Sequence, residues 1–229
     1  MWYHLNMSES VFVKLLEKKF ISEGYLTKRE VGVGYGVADL VLYRLDPKKC
    51  AVRRKNGQYK KLQSEDFFKI FDYLPENGSQ KQVDVNYLAN NLNISEKNLK
   101  YNYLKKLEND GFVRKINNKF YYKVNGWMPI AKEVIAIEAK INDWRKGAIQ
   151  ANRYKTFAHK TYLALPFEKG HLVDKKFLKE HNIGLILFDT KSRVKKTTRI
   201  KSEAPLNKYK FNFAAEFALG RRNLKECFS

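Results

Sequence analysis

Hydrophobic and polar positions follow two different patterns along this chain. In the first 45 residues, and again after position 128, apolar runs of strand length alternate with segments in which apolar residues recur at helical spacing. Strands that alternate with helices favour an α/β fold in which helices cover both faces of a sheet. In chain order, the predicted elements are a helix over 8–21, strands over 25–33 and 36–45, a strand over 133–140, a helix over 143–158, a strand over 160–165, a helix over 174–181 and a strand over 183–188.

The segment between these two parts has a different pattern. Asn56-Gly57 lies among basic residues and predicts a β-hairpin over 48–62, because this dipeptide favours the tight turns that join antiparallel strands. Three helices and a second hairpin are predicted after it, over 64–74, 85–91, 95–110 and 112–124. Three helices followed by a hairpin is the element order of a winged helix.

The charge of the chain narrows the class of partner. Its 229 residues carry 45 Lys and Arg against 24 Asp and Glu, a formal net charge of +21. Nucleic acid is the expected partner of such a positive field, with an anionic membrane surface as the alternative. No apolar run approaches the roughly 20 residues that span a bilayer, and the N-terminus lacks the pattern of a signal peptide. We therefore expect a soluble cytoplasmic protein without a membrane partner.

Two apolar strands contain acidic residues, which are unusual in strands that are expected to be buried. Val134–Lys140 runs from uncharged residues into Glu138 and Lys140, which point to the same face of an extended strand. Asp39 lies in a second apolar strand. Acids and lysines are costly to bury unpaired, so the residues either form ion pairs or provide the oxygen ligands of a magnesium site. Cys50 and Cys227 lie too far apart in the chain to suggest a zinc site or a disulfide framework.

The order of these residues resembles the PD-(D/E)xK nuclease superfamily. Asp39 corresponds to the first acid and Glu138-x-Lys140 to the second acid and the lysine, while Gln150 and Tyr154 fit the QxxxY motif of RecB-like and λ-exonuclease-like members. The resemblance implies a restriction-endonuclease-like α/β core, which is a central mixed sheet flanked by helices. Relatives usually keep the two acids closer together in the chain, and the winged-helix segment would separate them here as an insertion.

The resemblance also implies a role for each site residue. Asp39, Glu138 and the carbonyl of Ala139 would hold Mg²⁺, with Mn²⁺ as an alternative ion. Lys140 would hold or deprotonate the attacking water, or neutralise the phosphate. The remaining expected site residues are Gln150 and Tyr154, which would orient the lysine and contact phosphate, Lys146 one helical turn before them, and Glu9 as an extra acid.

The segment 64–124 resembles the winged helix-turn-helix domains that bind DNA. This resemblance implies that the helix over 95–110 enters a major groove and that the hairpin contacts phosphate. Many such domains mediate only protein contacts, which is the alternative. The expected DNA-binding residues are Lys97, Asn98, Lys100 and Asn102 on the helix, and Arg114 and Lys119 on the hairpin.

Together these features predict a nuclease core over 1–45 and 128–229 that carries an inserted DNA-binding domain over 46–127. The basic C-terminal part is expected to pack as a helix over 211–225. The leading hypothesis is a metal-dependent DNA endonuclease that acts on duplex DNA, and a homodimer would suit the cutting of both strands. The alternatives are a DNA-binding regulator or assembly factor on an inactive scaffold, and a nuclease for RNA or branched DNA. The enzyme hypothesis requires Asp39 and Glu138 to converge in space.

Overall fold

A computed structural model describes residues 7–34, 36–124 and 128–220 of the chain. The described residues divide into two compact units. The first unit contains the residues up to Arg44 together with Ala131–Ala218. The second unit contains Leu45–Ile130, with Leu219 and Gly220. The units change near positions 44 and 130, within a few residues of the predicted limits of the insertion.

The first unit begins with a helix and two strands, α1 (Glu9–Ser22), β1 (Leu26–Gly32) and β2 (Val37–Leu45). Ser8 is the N-cap of α1, and its side chain accepts a hydrogen bond from the Val11 N–H. Phe12, Leu16 and Phe20 recur at helical spacing and are buried. This spacing gives α1 one apolar face, which packs on the sheet.

The second unit consists of helices and one hairpin. Its elements are α2 (Pro47–Lys55), α3 (Glu65–Tyr73), α4 (Val85–Leu92), α5 (Glu96–Asn98), a π-helical segment (Leu99–Leu104), α6 (Lys105–Asn109), β3 (Val113–Ile116) and β4 (Phe120–Lys123). The helix predicted over 95–110 is therefore present, but its middle turn is π-helical. At the ends of the unit, the Asp46 N–H donates to the Ile130 carbonyl at 2.8 Å. The two ends of the insertion thus lie side by side.

The hairpin predicted over 48–62 is wrong, because the first part of that segment is the helix α2. Asp46 is the N-cap of this helix, with its side chain accepting from two backbone N–H groups, and Pro47 occupies the first turn. Both are strong helix-start signals. Gly57 has φ +67°, so Asn56-Gly57 ends a helix here instead of joining two strands.

The chain then returns to the first unit. The remaining elements are β5 (Ala131–Ala139), α7 (Trp144–Arg153), a 3-10 turn (Tyr154–Thr156), β6 (Lys160–Pro166), a second 3-10 segment (Phe167–Leu172), α8 (Lys175–Glu180), β7 (Gly184–Phe188), β8 (Lys195–Thr197) and α9 (Lys208–Glu216). The helix predicted over 143–158 is shorter than expected, so Tyr154 follows α7 in the 3-10 turn. Strand β8 was not predicted, since Lys195-Lys196-Thr197 carries no apolar alternation. The helix predicted over 211–225 begins earlier and ends at Glu216, and its positions after 220 lie outside the described residues.

The six strands of the first unit form one mixed sheet in the order β1-β2-β5-β6-β7-β8. Strands β5, β6 and β7 are parallel, while β1 is antiparallel to β2 and β8 is antiparallel to β7. An apolar cluster that includes Phe12 and Ile137 lies under α1 on one face. A second cluster that includes Ala148 and Leu178 lies under α7 and α8 on the other face. The predicted α/β class, a mixed sheet flanked by helices, is confirmed.

No helix in the described ranges combines the length and the apolar character that crossing a membrane would require.

Candidate active site

The sheet brings the two predicted acids together, although they lie far apart in the chain. Strands β2 and β5 are neighbours in the sheet, with Asp39 inside β2 and Glu138 near the end of β5. The Asp39 side chain accepts a hydrogen bond at Oδ2 from the Ala139 N–H, 2.8 Å away. Because Ala139 follows Glu138 directly, this bond places the Asp39 carboxylate beside the second acid and beside Lys140.

Glu138 is buried, with 1% of its surface exposed, and both of its carboxylate oxygens have partners. The Lys140 ammonium lies 2.8 Å from Oε1. The Tyr154 hydroxyl lies 2.5 Å from Oε2. A buried carboxylate without such partners would be strongly destabilising. The pair Glu138 and Lys140 therefore lies on one face, as the strand alternation predicted.

Tyr154 joins the two strands that carry the acids. Its hydroxyl is 2.8 Å from the Val37 carbonyl in β2, in addition to its contact with Glu138 at the end of β5. A phenolic hydroxyl has one hydrogen, so it donates to only one of these two oxygens at a time. When it donates to Val37, the short contact with Glu138 requires a proton on the carboxyl group. Tyr154 is thus a hydrogen-bonding link between the β2 backbone and the second acid.

The electrostatic surroundings favour protons on these groups. Burial raises the pKa of the Asp39 carboxyl, and the hydrogen bond from the Ala139 N–H, followed by the charge of Lys140, offsets only part of this effect. Burial also raises the pKa of Glu138, against the opposing hydrogen bonds from Lys140 and Tyr154. For Lys140, burial acts to lower the pKa, but the hydrogen bond to Glu138 and the nearby carboxylates outweigh it, so the pKa is raised. The lysine therefore remains an ammonium at neutral pH.

Glu9 lies at the rim of this cluster. It occupies the first turn of α1, and its Oε2 is 3.4 Å from the Lys140 ammonium. About half of its side-chain surface, 49%, is exposed. The structure therefore brings the predicted extra acid to the lysine, at the solvent side of the site.

Gln150 and Lys146 lie on α7, one turn apart, and Tyr154 follows after one further turn. Residues four apart lie on the same helical face. Gln150 is half-buried, and its Oε1 is buried without a hydrogen-bond partner among the described residues. Lys146 is exposed, and its backbone N–H donates to the Asp143 side chain at 3.0 Å. No hydrogen bond in the described part of the chain joins Gln150 or Lys146 to the acids.

Two residues near the site were not identified from the sequence. Gly147 on α7 packs so closely that a Cβ there would lie 2.7 Å from Lys140 Cγ and 2.6 Å from Leu163 Cδ1. Glu30 in β1 has φ +55°, and the β1–β2 register, which pairs Arg29 with Leu40 and Val31 with Ala38, places it opposite Asp39. A glycine inside an amphipathic helix is a sequence signal for close packing. The Glu30 conformation has no comparable signal.

The oxygen donors that could hold a cation are few. Within the described ranges, no group of three or more His, Cys, Asp or Glu side chains is placed to hold a metal ion. Asp39 and Glu138 offer two carboxylates, and Ala139 offers a backbone carbonyl. Mg²⁺ commonly binds through one or two carboxylates, with waters and substrate phosphates completing its shell. The donor set therefore fits a substrate-assisted Mg²⁺ site and does not fit a closed protein cage.

In the second unit, all six residues predicted to bind DNA are solvent-exposed: Lys97, Asn98, Lys100, Asn102, Arg114 and Lys119. Lys97, Lys100 and Lys119 line one cavity of about 540 Å³. Arg114 lines a different cavity. The Asn102 amide donates to the Asn98 side chain at 2.7 Å. The helix and hairpin lysines thus converge, whereas the arginine lies apart from them.

Comparisons of the chain with protein-family models, with curated proteins and with solved structures found no match.

Proposed function

We propose that this protein is a metal-dependent DNA endonuclease of the PD-(D/E)xK type. The observation that carries the proposal is the hydrogen bond from the Ala139 N–H to Asp39, which joins two acids from distant parts of the chain beside Lys140. A carboxylate pair and an ammonium at the end of a buried strand are costly to assemble without a function. Phosphodiester hydrolysis is a reaction that needs this combination.

Each residue has a defined task in the proposed reaction. Asp39, Glu138 and the Ala139 carbonyl would hold Mg²⁺ or Mn²⁺. When bound, the ion supplies charge stabilisation at the phosphate and a more acidic water. Lys140 has a raised pKa, so it acts as a cation that binds the phosphate or orients the water rather than as a base. Tyr154 holds Glu138 in place through its hydroxyl. Gln150 has a buried acceptor with no hydrogen-bond partner in the described part of the chain, which suits the positioning of water or of Lys140.

The second unit would bind the DNA. Its order of helices followed by a hairpin, and the exposed lysines on both, suit a winged helix-turn-helix domain. The net charge of +21 supports a polyanionic substrate. We propose duplex DNA as the substrate, with Lys97, Asn98, Lys100 and Asn102 near the bases and Arg114 and Lys119 near phosphates.

One observation favours a second candidate, a DNA-binding regulator on an inactive scaffold. Both oxygens of Glu138 already have protein partners, Lys140 and Tyr154, so this buried carboxylate is satisfied without a cation. In that case the residues form a structural ion pair, and DNA binding would be the only activity.

Cleavage assays with purified protein separate the two candidates. Supercoiled plasmid, linear duplex and single-stranded DNA are incubated with Mg²⁺, Mn²⁺ or EDTA. We expect cleavage with either cation, none in EDTA, and a loss of at least a hundredfold in Asp39→Asn and Lys140→Met, because the first removes a proposed ligand of the ion and the second the cation proposed to act on the phosphate or the water. Glu168→Gln, at an exposed acid on the second 3-10 segment, is the matched control and should cleave normally.

Unchanged cleavage in either site variant would reject the site assignment. If the native protein binds DNA but cleaves none of the three substrates with either cation, the regulator becomes the better description.

A further inference from the structure

The π-helical segment Leu99–Leu104 exposes three consecutive side chains of the second unit. Leu99 and Leu104 are both fully buried, although they are five positions apart. Hydrogen bonds in a π-helix run from residue i to i+5, so its wider turn lets both leucines reach the core. Lys100, Tyr101 and Asn102 between them are all exposed. Such segments are frequent at functional sites.

Tyr101 differs from the neighbouring tyrosine in having no structural partner for its hydroxyl among the described residues. Tyr103 donates to Asp66 and packs edge-on against Phe67. Tyr101, by contrast, is 55% exposed, and the Lys100 ammonium lies 5.4 Å from its ring centroid. An exposed ring next to a cation is well suited to stack on a nucleobase.

This ring lines the 540 Å³ cavity between the helix and the β3–β4 hairpin. Four lysines line the same cavity, and none of them forms an ion pair within the described residues: Lys97, Lys100, Lys115 and Lys119. The two acids that line it are already engaged. Asp84 caps α4, and Glu96 accepts a hydrogen bond from Asn86 at 3.1 Å. The cavity therefore combines an excess of positive charge, four lysines against two acids, with an exposed aromatic ring.

We propose that this cavity binds an unpaired nucleotide, with its base stacked on Tyr101 and its phosphate held by the lysines. In duplex DNA the faces of the bases are covered by their neighbours, so a ring can stack only on a base that has left the helix or lies in a single strand. The volume lies within the range of small-ligand pockets. The lysines converge from two elements on one cavity, which suits one nucleotide better than a row of phosphates.

The proposal deepens the proposed function, and rests on the DNA binding assigned there to the second unit. It adds that the preferred substrate carries a single-stranded end, gap or flap. On such a substrate Lys97 and Lys100 would hold the unpaired nucleotide instead of contacting duplex bases. Asn98 and Asn102, which do not line the cavity, would contact the adjoining duplex.

The test measures binding of the full-length protein in EDTA, which separates binding from cleavage. Fluorescence anisotropy compares a blunt duplex with the same duplex carrying a short single-stranded overhang. We expect Tyr101→Ala to weaken binding of the overhang DNA about tenfold, the effect of losing one base–aromatic stack, and to leave binding of the blunt duplex unchanged. Tyr101→Phe keeps the ring and should bind like the native protein. Tyr87→Ala removes another exposed tyrosine of the second unit, outside this cavity, and is the matched control.

Each outcome has a distinct meaning. An equal loss on blunt and overhang DNA would show that Tyr101 contacts duplex, and would overturn the proposal while leaving DNA binding intact. No loss on either substrate would overturn it as well. Failure of the native protein to bind any DNA would overturn the proposed function and this inference together.

Discussion

At the scale of single residues, the hydroxyl of Tyr154 is one of the groups that influence the ionisation of the second acid. It lies between the Val37 carbonyl and Glu138, and its hydrogen bond acts to lower the pKa of the Glu138 carboxyl against the effect of burial. A carboxyl group must lose its proton before it can hold a cation. The tyrosine therefore links the relative position of strands β2 and β5 to the pH range in which the site could work.

Tyr154→Phe should shift the pH dependence of cleavage. Without the hydroxyl, the effect that lowers the pKa of Glu138 is lost, so this pKa rises further. The acid limb of the pH–rate profile should then move to higher pH. The free energy of unfolding should fall by about 1–3 kcal/mol, because Oε2 is left buried without its donor. Cleavage rates from acidic to alkaline pH and a denaturant titration measure the two effects.

Tyr43→Phe is the matched control for this variant. The Tyr43 hydroxyl is also buried, but it has no hydrogen-bond partner among the described residues. Removing it should leave the pH profile unchanged and should not lower stability. An unmoved acid limb in Tyr154→Phe would show that the tyrosine does not influence the ionisation of Glu138.

Glu30 holds an unfavourable backbone conformation opposite Asp39. Its φ of +55° lies in the left-handed region, which costs a non-glycine residue about 1–3 kcal/mol. Its carboxylate also acts to raise the pKa of Asp39. We expect Glu30→Gly to raise the free energy of unfolding by about 1 kcal/mol. Glycine accepts this conformation without strain, and the relief of strain outweighs the larger conformational entropy that glycine loses on folding. Thermal or denaturant unfolding in EDTA measures the change.

Lys28→Gly, in the same strand and outside the residues with positive φ, is the control for that substitution. It should destabilise the protein by about 0.5–1 kcal/mol, as glycine does inside a strand. A loss of stability in Glu30→Gly would mean that the Glu30 side chain makes a contribution larger than its backbone strain.

At the scale of elements, the fit between α7 and β5 fixes the path of the Lys140 side chain. Gly147 leaves room for Lys140 Cγ on one side and Leu163 Cδ1 on the other. Alanine is the better helix former by about 0.8–1 kcal/mol, so glycine at this position lowers the intrinsic stability of α7. The absence of a Cβ at Gly147 therefore leaves space for the Lys140 stem beside α7.

Gly147→Ala should lower the rate of cleavage strongly while the protein still folds. The new Cβ would lie well inside contact distance of Lys140 and Leu163, and the lysine stem is the more flexible of the two. We expect the turnover rate to fall at least tenfold while DNA affinity in EDTA stays constant. Ile149→Ala, at an exposed position on the same helix, is the control and should retain activity. Equal losses of turnover and affinity would argue against a displaced lysine.

The elements also show which parts of the structure the sequence could predict. Strand β5 and helix α1 were found because an unbroken apolar run and a helical stripe each leave one interpretation. The hairpin over 48–62 was wrong because Asn-Gly ends helices as well as joining strands, and the Asp46-Pro47 start signal decides between them. The three-residue strand β8 pairs with β7, and such pairing between distant residues leaves no local signal in Lys195-Lys196-Thr197.

For the candidate site, the sequence located the acids and the lysine from their residue types and strand spacing. It could not reveal that Asp39 bonds to the Ala139 N–H, or that Tyr154 reaches the Val37 carbonyl. Those contacts depend on which strands are neighbours in the sheet. The close approach at Gly147 depends in the same way on the distance between α7 and β5, which no local pattern records.

At the scale of the whole molecule, the net charge of +21 makes the salt dependence of the proposed DNA binding a direct test of which lysines contact phosphate. Each phosphate contact that releases a counterion adds about one unit to the slope of log K against log salt concentration. Lys119 is exposed at the tip of the β3–β4 hairpin and forms no ion pair within the described residues. Its positive charge is therefore available to a phosphate.

Lys119→Gln should lower the magnitude of this slope by about one unit and should weaken binding to a similar extent on different DNA sequences, because a phosphate contact carries no sequence information. Lys123→Gln, on the same hairpin, is the matched control. Lys123 is paired with Glu76 at 3.2 Å, so its charge is already balanced within the protein. Anisotropy titrations over a series of salt concentrations in EDTA measure both slopes. An equal fall in the two variants would mean that the hairpin acts through its overall charge, whereas an unchanged slope in Lys119→Gln would place the phosphate contacts elsewhere on the molecule.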